Sequence, residues 1–158
     1  MIAGFHQPHK WNAGALGPSG GGIRRATEQT KDRATAQTTM TINPLSEQPP
    51  FTTADGSTIR SLLDRTNAPV ENQSLAEASL PPGGGTQRHY HRLSEEFYFI
   101  LEGDGIMEID GEERPVGPGD AILIPPGAWH QIRTGTDRGV RFLCCCAPPY
   151  AHEDTYFS

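Results

Sequence analysis

Clusters of turn-forming residues divide the second half of the chain into short segments, and they constrain its fold more than any other feature. The clusters are 81–85 (PPGGG), 110–111 (DG), 119–120 (GD) and 125–127 (PPG). Proline lacks a backbone N–H and glycine readily adopts positive φ, so each cluster interrupts regular structure. With 18 Gly and 14 Pro in all, the pattern is typical of a β-sandwich or β-barrel and not of a helical bundle.

The apolar segments between these turns predict a series of short strands. The strongest is 96–101 (EFYFIL), because aromatic and β-branched residues favour strands. The Asp-Gly pair at 110–111 predicts a two-residue hairpin turn. Segment 59–65 (IRSLLDR) fits either a strand or a single helical turn. The predicted strands are 74–80, 87–91, 96–101, 105–109, 113–116, 121–124, 129–133 and 139–146.

Residues 1–48 differ from the rest of the chain in composition. They are rich in Gly, Ser, Thr, Gln and charged residues and show no sustained apolar period. Such a segment buries too little apolar surface to offset the entropy cost of ordering its backbone. We therefore expect 1–48 to be disordered and a single domain to span 49–158. Met40 is a second possible translation start, a hypothesis that mass spectrometry of the natural N-terminus would test.

The charge and hydropathy of the chain argue against two kinds of partner. Residues 49–158 carry eight Arg, no Lys and sixteen acidic residues, a net charge near −8. Nucleic-acid binding needs clustered positive charge, so we expect no nucleic-acid partner. The longest apolar run, 97–101, is far too short to cross a bilayer, and we expect no membrane partner. The N-terminus also lacks the pattern of a secretory signal.

The three cysteines of the chain are consecutive: Cys144, Cys145 and Cys146. Neighbouring residues of a strand point to opposite faces, so this run is a poor framework for a disulfide or a zinc site. Free cysteines are often buried as small apolar side chains, which suits a reducing compartment. We therefore expect a cytoplasmic protein.

Three of the six histidines lie near the ends of predicted strands. His89 and His91 are two residues apart on one strand, so their imidazoles project from the same face. Glu96 begins the next strand, and His130 follows a Pro-Gly turn. Three imidazoles and a carboxylate suit one divalent transition metal (Fe, Mn, Ni, Co or Zn) and leave two positions open on a six-coordinate ion. The alternative is a chance H-x-H pair, with Glu95 and Glu96 merely solvated.

The glycine spacing around these residues resembles the two motifs of the cupin superfamily. The first motif, G-x5-H-x-H-x3/4-E-x6-G, is matched in full. The second, G-x5-P-x-G-x2-H-x3-N, departs only at its last position, where Thr134 replaces Asn. Nine of ten specified positions thus agree, in order, across about a third of the chain. The matching residues are Gly83, His89, His91, Glu96, Gly103, Gly119, Pro125, Gly127 and His130.

The resemblance implies a double-stranded β-helix, the jelly-roll barrel of cupins, for residues 49–158. The spacing to Gly103 assigns Glu96 rather than Glu95 to the ligand set. Cupins commonly dimerise, and apolar side chains on the outer face of 97–101 would need a cover, so a homodimer is expected. The metal ligands implied by the resemblance are His89, His91, Glu96 and His130.

Strand alternation predicts which side chains share the face of the ligands. Gln87 precedes His89 by two residues and Tyr98 follows Glu96 by two, so we expect both as polar groups of a substrate pocket, with Tyr98 as a hydrogen-bond donor. Ordinary core packing is the alternative for each. Arg141 is expected to point outward. The expected pocket wall is otherwise apolar, and it consists of Ile100, Ala128, Ile132, Val140, Phe142, Cys144 and Cys146.

Three classes of function fit a cupin with this ligand set. The first is a metal-dependent enzyme that oxidises a small organic molecule with O2, as Fe(II) cupin dioxygenases do. The second is a non-redox isomerase, lyase or decarboxylase in which the metal acts as a Lewis acid. The third is a metal-containing sensory or ligand-binding module without turnover. A fold and its ligands identify a metal site and not a reaction, so the sequence leaves the substrate open.

Overall fold

The computed structural model describes residues 39–158, and strands dominate that part of the chain. Its only helical segments within these residues are two 3₁₀ helices, Leu45–Glu47 and His152–Asp154. The predicted all-β class is confirmed. The strands are β1 (Phe51–Thr52), β2 (Thr58–Leu63), β3 (Ser74–Leu80), β4 (His89–His91), β5 (Glu95–Gly103), β6 (Gly105–Ile109), β7 (Glu112–Val116), β8 (Ala121–Ile124), β9 (His130–Arg133), β10 (Val140–Ala147) and β11 (Thr155–Phe157).

The strands form two antiparallel sheets. A six-stranded sheet has the order β1-β2-β3-β10-β5-β8, and a five-stranded sheet has the order β11-β4-β9-β6-β7. Neighbours such as β10 and β5 are distant in sequence, so most pairings are long-range, as in a jelly-roll barrel. No helix within residues 39–158 is both long and apolar enough to cross a membrane.

The turn chemistry placed the strands well. Strands β3, β6 and β8 have the predicted bounds. Residues 59–63 of the segment that was left open between strand and helix lie in β2. Asp110 and Gly111 both have positive φ, 49° and 88°, and connect β6 to β7 as a two-residue turn. Two positive φ values define the mirror-image turn whose twist matches that of paired strands, so the hairpin prediction is confirmed.

Strict alternation along β5 separates an inner from an outer face. Glu96, Tyr98 and Ile100 are buried, whereas Phe97 and Phe99 are 47% and 43% exposed. The inner residues join an apolar core between the sheets, and full burial of each large aliphatic or aromatic side chain contributes about 1.5–3 kcal/mol. That core consists of Ala78, Leu80, Tyr98, Ile100, Met107, Ile124, Ala128, Ile132, Val140 and Phe142.

A β-bulge interrupts the regular pairing of β5 with β10. Arg141 pairs with Glu102 and Phe142 with Ile100, so Leu101 has no partner on β10. The bulge lies beyond Glu96 and Tyr98, and the alternation that places those two side chains inside is undisturbed. Arg141 points outward as expected, and its guanidinium contacts the carboxylates of Glu77 and Glu102.

The chain is attached to the barrel earlier than the predicted boundary at residue 49. Asn43 donates a side-chain hydrogen bond to the carbonyl oxygen of Leu62, at 2.8 Å, and a 3₁₀ helix follows at Leu45–Glu47. At residues 43–47 the structure thus differs from the expected disorder, because this part of the chain contacts the domain. An amide side chain that satisfies a strand-end carbonyl explains the difference. The remainder of that expectation, on 1–38, lies outside the described residues.

The C-terminal segment folds back against β4 and forms a strand that the sequence did not predict. Strand β10 ends before the proline pair at 148–149, as expected, but β11 then pairs with β4. Asp154 is buried, and its carboxylate accepts hydrogen bonds from the backbone N–H groups of Leu93 and Ser94 at 2.9–3.1 Å. Carboxylate-to-amide bonds of this kind anchor the segment beside the histidines of β4.

Candidate metal centre

The fold brings the four residues of the expected ligand set together at one end of the barrel. His89 and His91 lie on β4, His130 lies directly opposite His89 on β9, and Glu96 lies on β5 of the other sheet. One ligand atom from each residue lies within 4.8 Å of all the others. All four side chains are buried, with relative exposures of 0–5%.

Each histidine ring is held through its Nδ1 atom. His89 Nδ1 lies 2.7 Å from the carbonyl oxygen of Gln87, and His130 Nδ1 lies 3.0 Å from that of Ala128. His91 Nδ1 lies 3.1 Å from Thr155 Oγ1. Because a partner occupies each Nδ1, the three Nε2 atoms are the ones presented to the cluster, as in most histidine metal sites.

Thr155 contacts His91 from β11, and strand alternation near the motifs could not reveal this contact because β11 was not predicted. We expect Thr155→Val to weaken binding of Co(II) or Mn(II) by about 10-fold, since outer-shell partners of ligating histidines contribute 10–100-fold in affinity. Valine keeps the shape and removes the hydroxyl. Chelator-competition titration measures the change, and Thr58→Val, a similar replacement away from the cluster, serves as control. Equal affinities for both variants would contradict the role assigned to Thr155.

Two atoms in the cluster test whether its residues fit a metal ion. Glu96 Oε2 lies 3.2 Å from His91 Nε2 and 3.4 Å from His130 Nε2. Yet Glu96 Oε2 and His130 Nε2 are buried and make no hydrogen bond, and within residues 39–158 they are the only buried side-chain N or O atoms of which this is true. Native proteins rarely leave buried polar atoms unpaired. A divalent cation among these atoms would satisfy both, and the donor set fits it.

Burial and neighbouring charge keep His89 and Glu96 in the protonation states that bind a metal ion. Burial, with the proximity of His130, lowers the pKa of His89 to about 4, so its imidazole is neutral. Burial raises the pKa of Glu96, but contacts with His130 and His91 outweigh that effect and hold it well below its usual range. Neutral imidazoles and an ionised carboxylate are the forms that bind metal ions.

The same pKa shift predicts acid sensitivity of the metal-free protein. Between about pH 6.5 and pH 4, His89 is protonated in the unfolded chain but neutral in the folded protein. The free energy of unfolding therefore falls as the pH falls. The pKa shift of His89 alone should lower the free energy of unfolding by about 3 kcal/mol between these two pH values. Thermal unfolding from pH 7 to pH 4 measures it. His89→Gln should flatten the profile, and exposed His152→Gln should not; identical slopes for both would refute the assignment.

A cavity of about 300 Å³ opens beside the cluster. His89, His91 and Glu96 line its base, and Tyr98 and Phe142 form part of its wall. Tyr98 is 3% exposed, and its ring centroid lies 6.2 Å from that of His130 and 4.5 Å from that of Phe142. Burial, together with the nearby Glu96 carboxylate, raises the pKa of Tyr98 well above 10. Its phenol is therefore a neutral hydrogen-bond donor at the edge of the site.

Gln87 does not lie where the sequence placed it. Its side chain is exposed and donates to the carbonyl oxygen of Ser158 at 3.2 Å, outside the cavity. The physical reason is that β4 begins at His89, so the alternation of the strand does not extend back to Gln87. Only the backbone carbonyl of Gln87 contributes to the site, through its contact with His89.

The cysteine run alternates between the cavity and the outer face of the sheet. Cys144 and Cys146 line the cavity, and Cys146 Sγ lies 3.3 Å from Glu96 Oε1. Cys145 pairs with Phe97, whose side chain is on the outer face. Burial raises the pKa of Cys144 and of Cys146, so both are neutral thiols. All three cysteines are free.

Comparison with known proteins agrees with the geometry. The family profile described as "Cupin domain" matches residues 76–146. An uncharacterised protein of Methanocaldococcus jannaschii is 48% identical over 106 residues, which is 67% of this chain and 85% of that protein. The dimethylsulfoniopropionate lyase DddW of Ruegeria pomeroyi is 37% identical over 83 residues, 52% of this chain and 53% of the lyase.

Among solved structures, the polyketide cyclase RemF from Streptomyces resistomycificus superposes with a TM-score of 0.63 at 28% identity. The match covers 73% of this chain and 89% of the cyclase. With the two sheets, both motifs and these relatives, the chain belongs to the cupin family, and the expectation drawn from the motif spacing is confirmed.

Proposed function

We propose that this cupin is a metal-dependent enzyme that acts on a small organic molecule. The observation that carries the proposal is the pair of buried, unpartnered atoms, Glu96 Oε2 and His130 Nε2, in a cluster that borders a cavity. A structural zinc site has four protein ligands and no open position. On an ion that accepts six ligands, the same four residues would leave positions for a substrate beside the cavity. His89, His91, Glu96 and His130 would hold the ion.

When bound, such an ion would supply Lewis-acid polarisation and, if it is iron, the capacity to react with O2. The protein residues supply the rest. The phenol of Tyr98 donates a hydrogen bond to a substrate oxygen at the cavity wall, and burial keeps its proton in place. Phe142 and its cross-strand neighbour Ala78 exclude water from the same wall, which strengthens electrostatic interactions there.

The first reaction class that we propose is O2-dependent oxidation of the dioxygenase type. Its support is the ligand set, three imidazoles and one carboxylate, which suits Fe(II) and leaves room for two further ligands. The apolar part of the cavity lining, which includes Ile59, Ala78 and Phe142, suits an aromatic substrate.

The second reaction class is non-redox chemistry, such as cyclisation, elimination or isomerisation. Its support is the activities for which two similar proteins are named, a polyketide cyclase and a dimethylsulfoniopropionate lyase. Tyr98 would then donate a hydrogen bond to the negative charge that develops on a leaving or carbonyl oxygen, a role worth about 10²–10³-fold in rate.

The charges around the cavity favour a neutral or cationic substrate over a phosphorylated one. Among the described residues that line the cavity, Arg65 is the only arginine and there is no lysine. Two acidic residues, Asp55 and Asp64, line the cavity as well. Several other arginines of the domain are paired with carboxylates, as Arg88 is with Glu108. Phosphate recognition requires clustered cationic donors, which this lining lacks.

Metal substitution separates the two reaction classes. The metal-free protein is loaded anaerobically with Fe(II) or with Zn(II), and both forms are incubated with phenolic, enediol and hydroxy-acid substrates. O2 uptake that requires Fe(II) supports the dioxygenase class, and turnover in the protein loaded with Zn(II) alone supports the non-redox class. Tyr98→Phe should retain the metal and lose about 100-fold in turnover in either class.

The third class, a sensory or ligand-binding module, is the outcome in which substrates raise the thermal stability of the metal-loaded protein and none is converted. That result would overturn the proposed enzyme and leave the metal site intact.

We also propose that two copies of the chain associate through the outer face of the six-stranded sheet. Phe97, Phe99 and Leu123 are 43–53% exposed there, and Phe97 pairs with Leu123 across β5 and β8. Apolar neighbours of this size are rarely left in water. Sedimentation velocity should give the mass of two chains, and a single-chain mass at micromolar concentration would contradict this expectation.

A further inference from the structure

The third cysteine of the run makes a contact that the proposed function does not use. Cys146 Sγ lies 3.3 Å from Glu96 Oε1, and the two residues are direct partners across β10 and β5. Both side chains project to the inner face, and both are buried, with relative exposures of 3% and 5%. The register of the two strands therefore fixes the contact, and bulk water does not compete for it.

The two oxygens of Glu96 have different surroundings. Oε1 faces the thiol of Cys146, whereas Oε2 faces the imidazoles of His91 and His130 and has no hydrogen bond. A neutral S–H group donates to a carboxylate oxygen, and a charged acceptor strengthens such a bond. The thiol thus distinguishes two oxygens that are otherwise chemically equivalent.

We propose that Cys146 is a positioning residue for the metal ligand Glu96, whose Oε1 it binds so that Oε2 alone is directed to the metal. One oxygen from Glu96, with three imidazoles, leaves more of the coordination sphere open than a carboxylate that binds through both oxygens. The inference rests on the proposed metal site and extends it to a residue outside the four ligands.

Cys144 offers a matched control within the same strand. It also faces the cavity, two residues from Cys146, but it pairs with Tyr98 and not with a metal ligand. Replacement of either cysteine by alanine removes one sulfur from the cavity wall. Only replacement of Cys146 removes the hydrogen bond to Glu96.

The experiment compares Co(II) binding and the visible spectrum of Co(II) in the wild-type protein, Cys146→Ala, Cys146→Ser and Cys144→Ala. We expect Cys146→Ala to bind Co(II) about 10-fold more weakly, as outer-shell changes do, and to show a changed d–d spectrum because the carboxylate is free to rotate. Cys146→Ser keeps a donor and should recover part of both properties. Cys144→Ala should remain within about twofold of the wild type.

Three results would overturn the proposal. They are a Cys146→Ala variant that matches the wild type, a Cys144→Ala variant with the same loss, and a thiolate-to-cobalt charge-transfer band that disappears in Cys146→Ala. The last would make Cys146 a ligand. A wild-type protein that binds no Co(II) would refute the metal site itself.

An infrared measurement tests the contact without metal and without a cysteine variant. In the metal-free protein, the S–H stretch of Cys146 should lie at lower frequency than that of a free thiol, because the S–H bond donates to a carboxylate. Glu96→Gln should move that band to higher frequency. A spectrum unchanged by Glu96→Gln would show that the thiol does not donate to Glu96.

Discussion

Glu96→Gln should reduce the affinity of the protein for a divalent transition metal by more than about 100-fold, beyond the range of outer-shell substitutions. The change removes the only negative charge among the four clustered side chains, and the neutral amide offers a weaker donor at the position of Oε2. The carboxylate is buried and its pKa is held low, so it is ionised at neutral pH and contributes its full charge to binding.

Glu95→Gln is a matched control for this experiment. Glu95 is the neighbouring residue on β5, but it is exposed and points to the opposite face. The affinity of Glu95→Gln for the metal should lie within about twofold of the wild-type affinity. Isothermal titration with Co(II) or Mn(II) measures both variants. Comparable losses in both would mean that the effect is one of overall charge and that Glu96 is not a ligand.

Gly103→Ala should unfold or severely destabilise the domain, by more than about 3 kcal/mol. Gly103 ends β5 with φ +75°, and a Cβ atom there would lie 1.8 Å from the carbonyl oxygen of Gly139. No side chain can move aside, because the clash is with backbone. The strained φ alone costs a non-glycine residue about 1–2 kcal/mol, and the clash adds to it.

Gly119→Ala separates the two contributions. Gly119 also has positive φ, +92°, but nothing lies within 4 Å of a Cβ placed on it. This variant should lose only the conformational part, about 1–2 kcal/mol. Urea unfolding at constant m-value gives both differences. Similar costs for the two variants would show that the close approach of β5 to β10 at Gly103 is relaxed in solution.

The glycines explain why the fold could be predicted from the sequence. Gly83, Gly103, Gly119 and Gly127, which belong to the matched motifs, all have positive φ. A positive φ is a local property of the backbone, and glycine is the residue that adopts it most readily, so glycines in the sequence indicate such turns directly. The strand pattern of β5 is also local, since burial follows its alternation residue by residue.

The parts that could not be predicted depend on long-range pairing. Strand β11 is short and follows a proline pair, and its position beside β4 is set by the buried carboxylate of Asp154. Without β11, no signal in the sequence linked Thr155 to His91. The outward position of Gln87 had a similar origin, because strand alternation was extended two residues beyond the start of β4.

The contact between Cys146 and Glu96 was within reach of the sequence only in part. Alternation placed both side chains inside the barrel, but the antiparallel register that makes them direct partners depends on the bulge at Leu101. A bulge adds one residue to one strand and shifts every pairing beyond it. Register between strands that are 50 residues apart therefore has to be observed.

Elemental analysis of the wild-type protein and of His91→Ala, both purified without added metal, shows directly whether the cluster binds a metal ion. We expect about one equivalent of a divalent transition metal per chain in the wild type and close to none in the variant, since His91 presents one of the three clustered imidazoles. Metal-free wild-type protein that also fails to bind added Fe, Mn, Ni, Co or Zn, or equal metal content in both proteins, would contradict it.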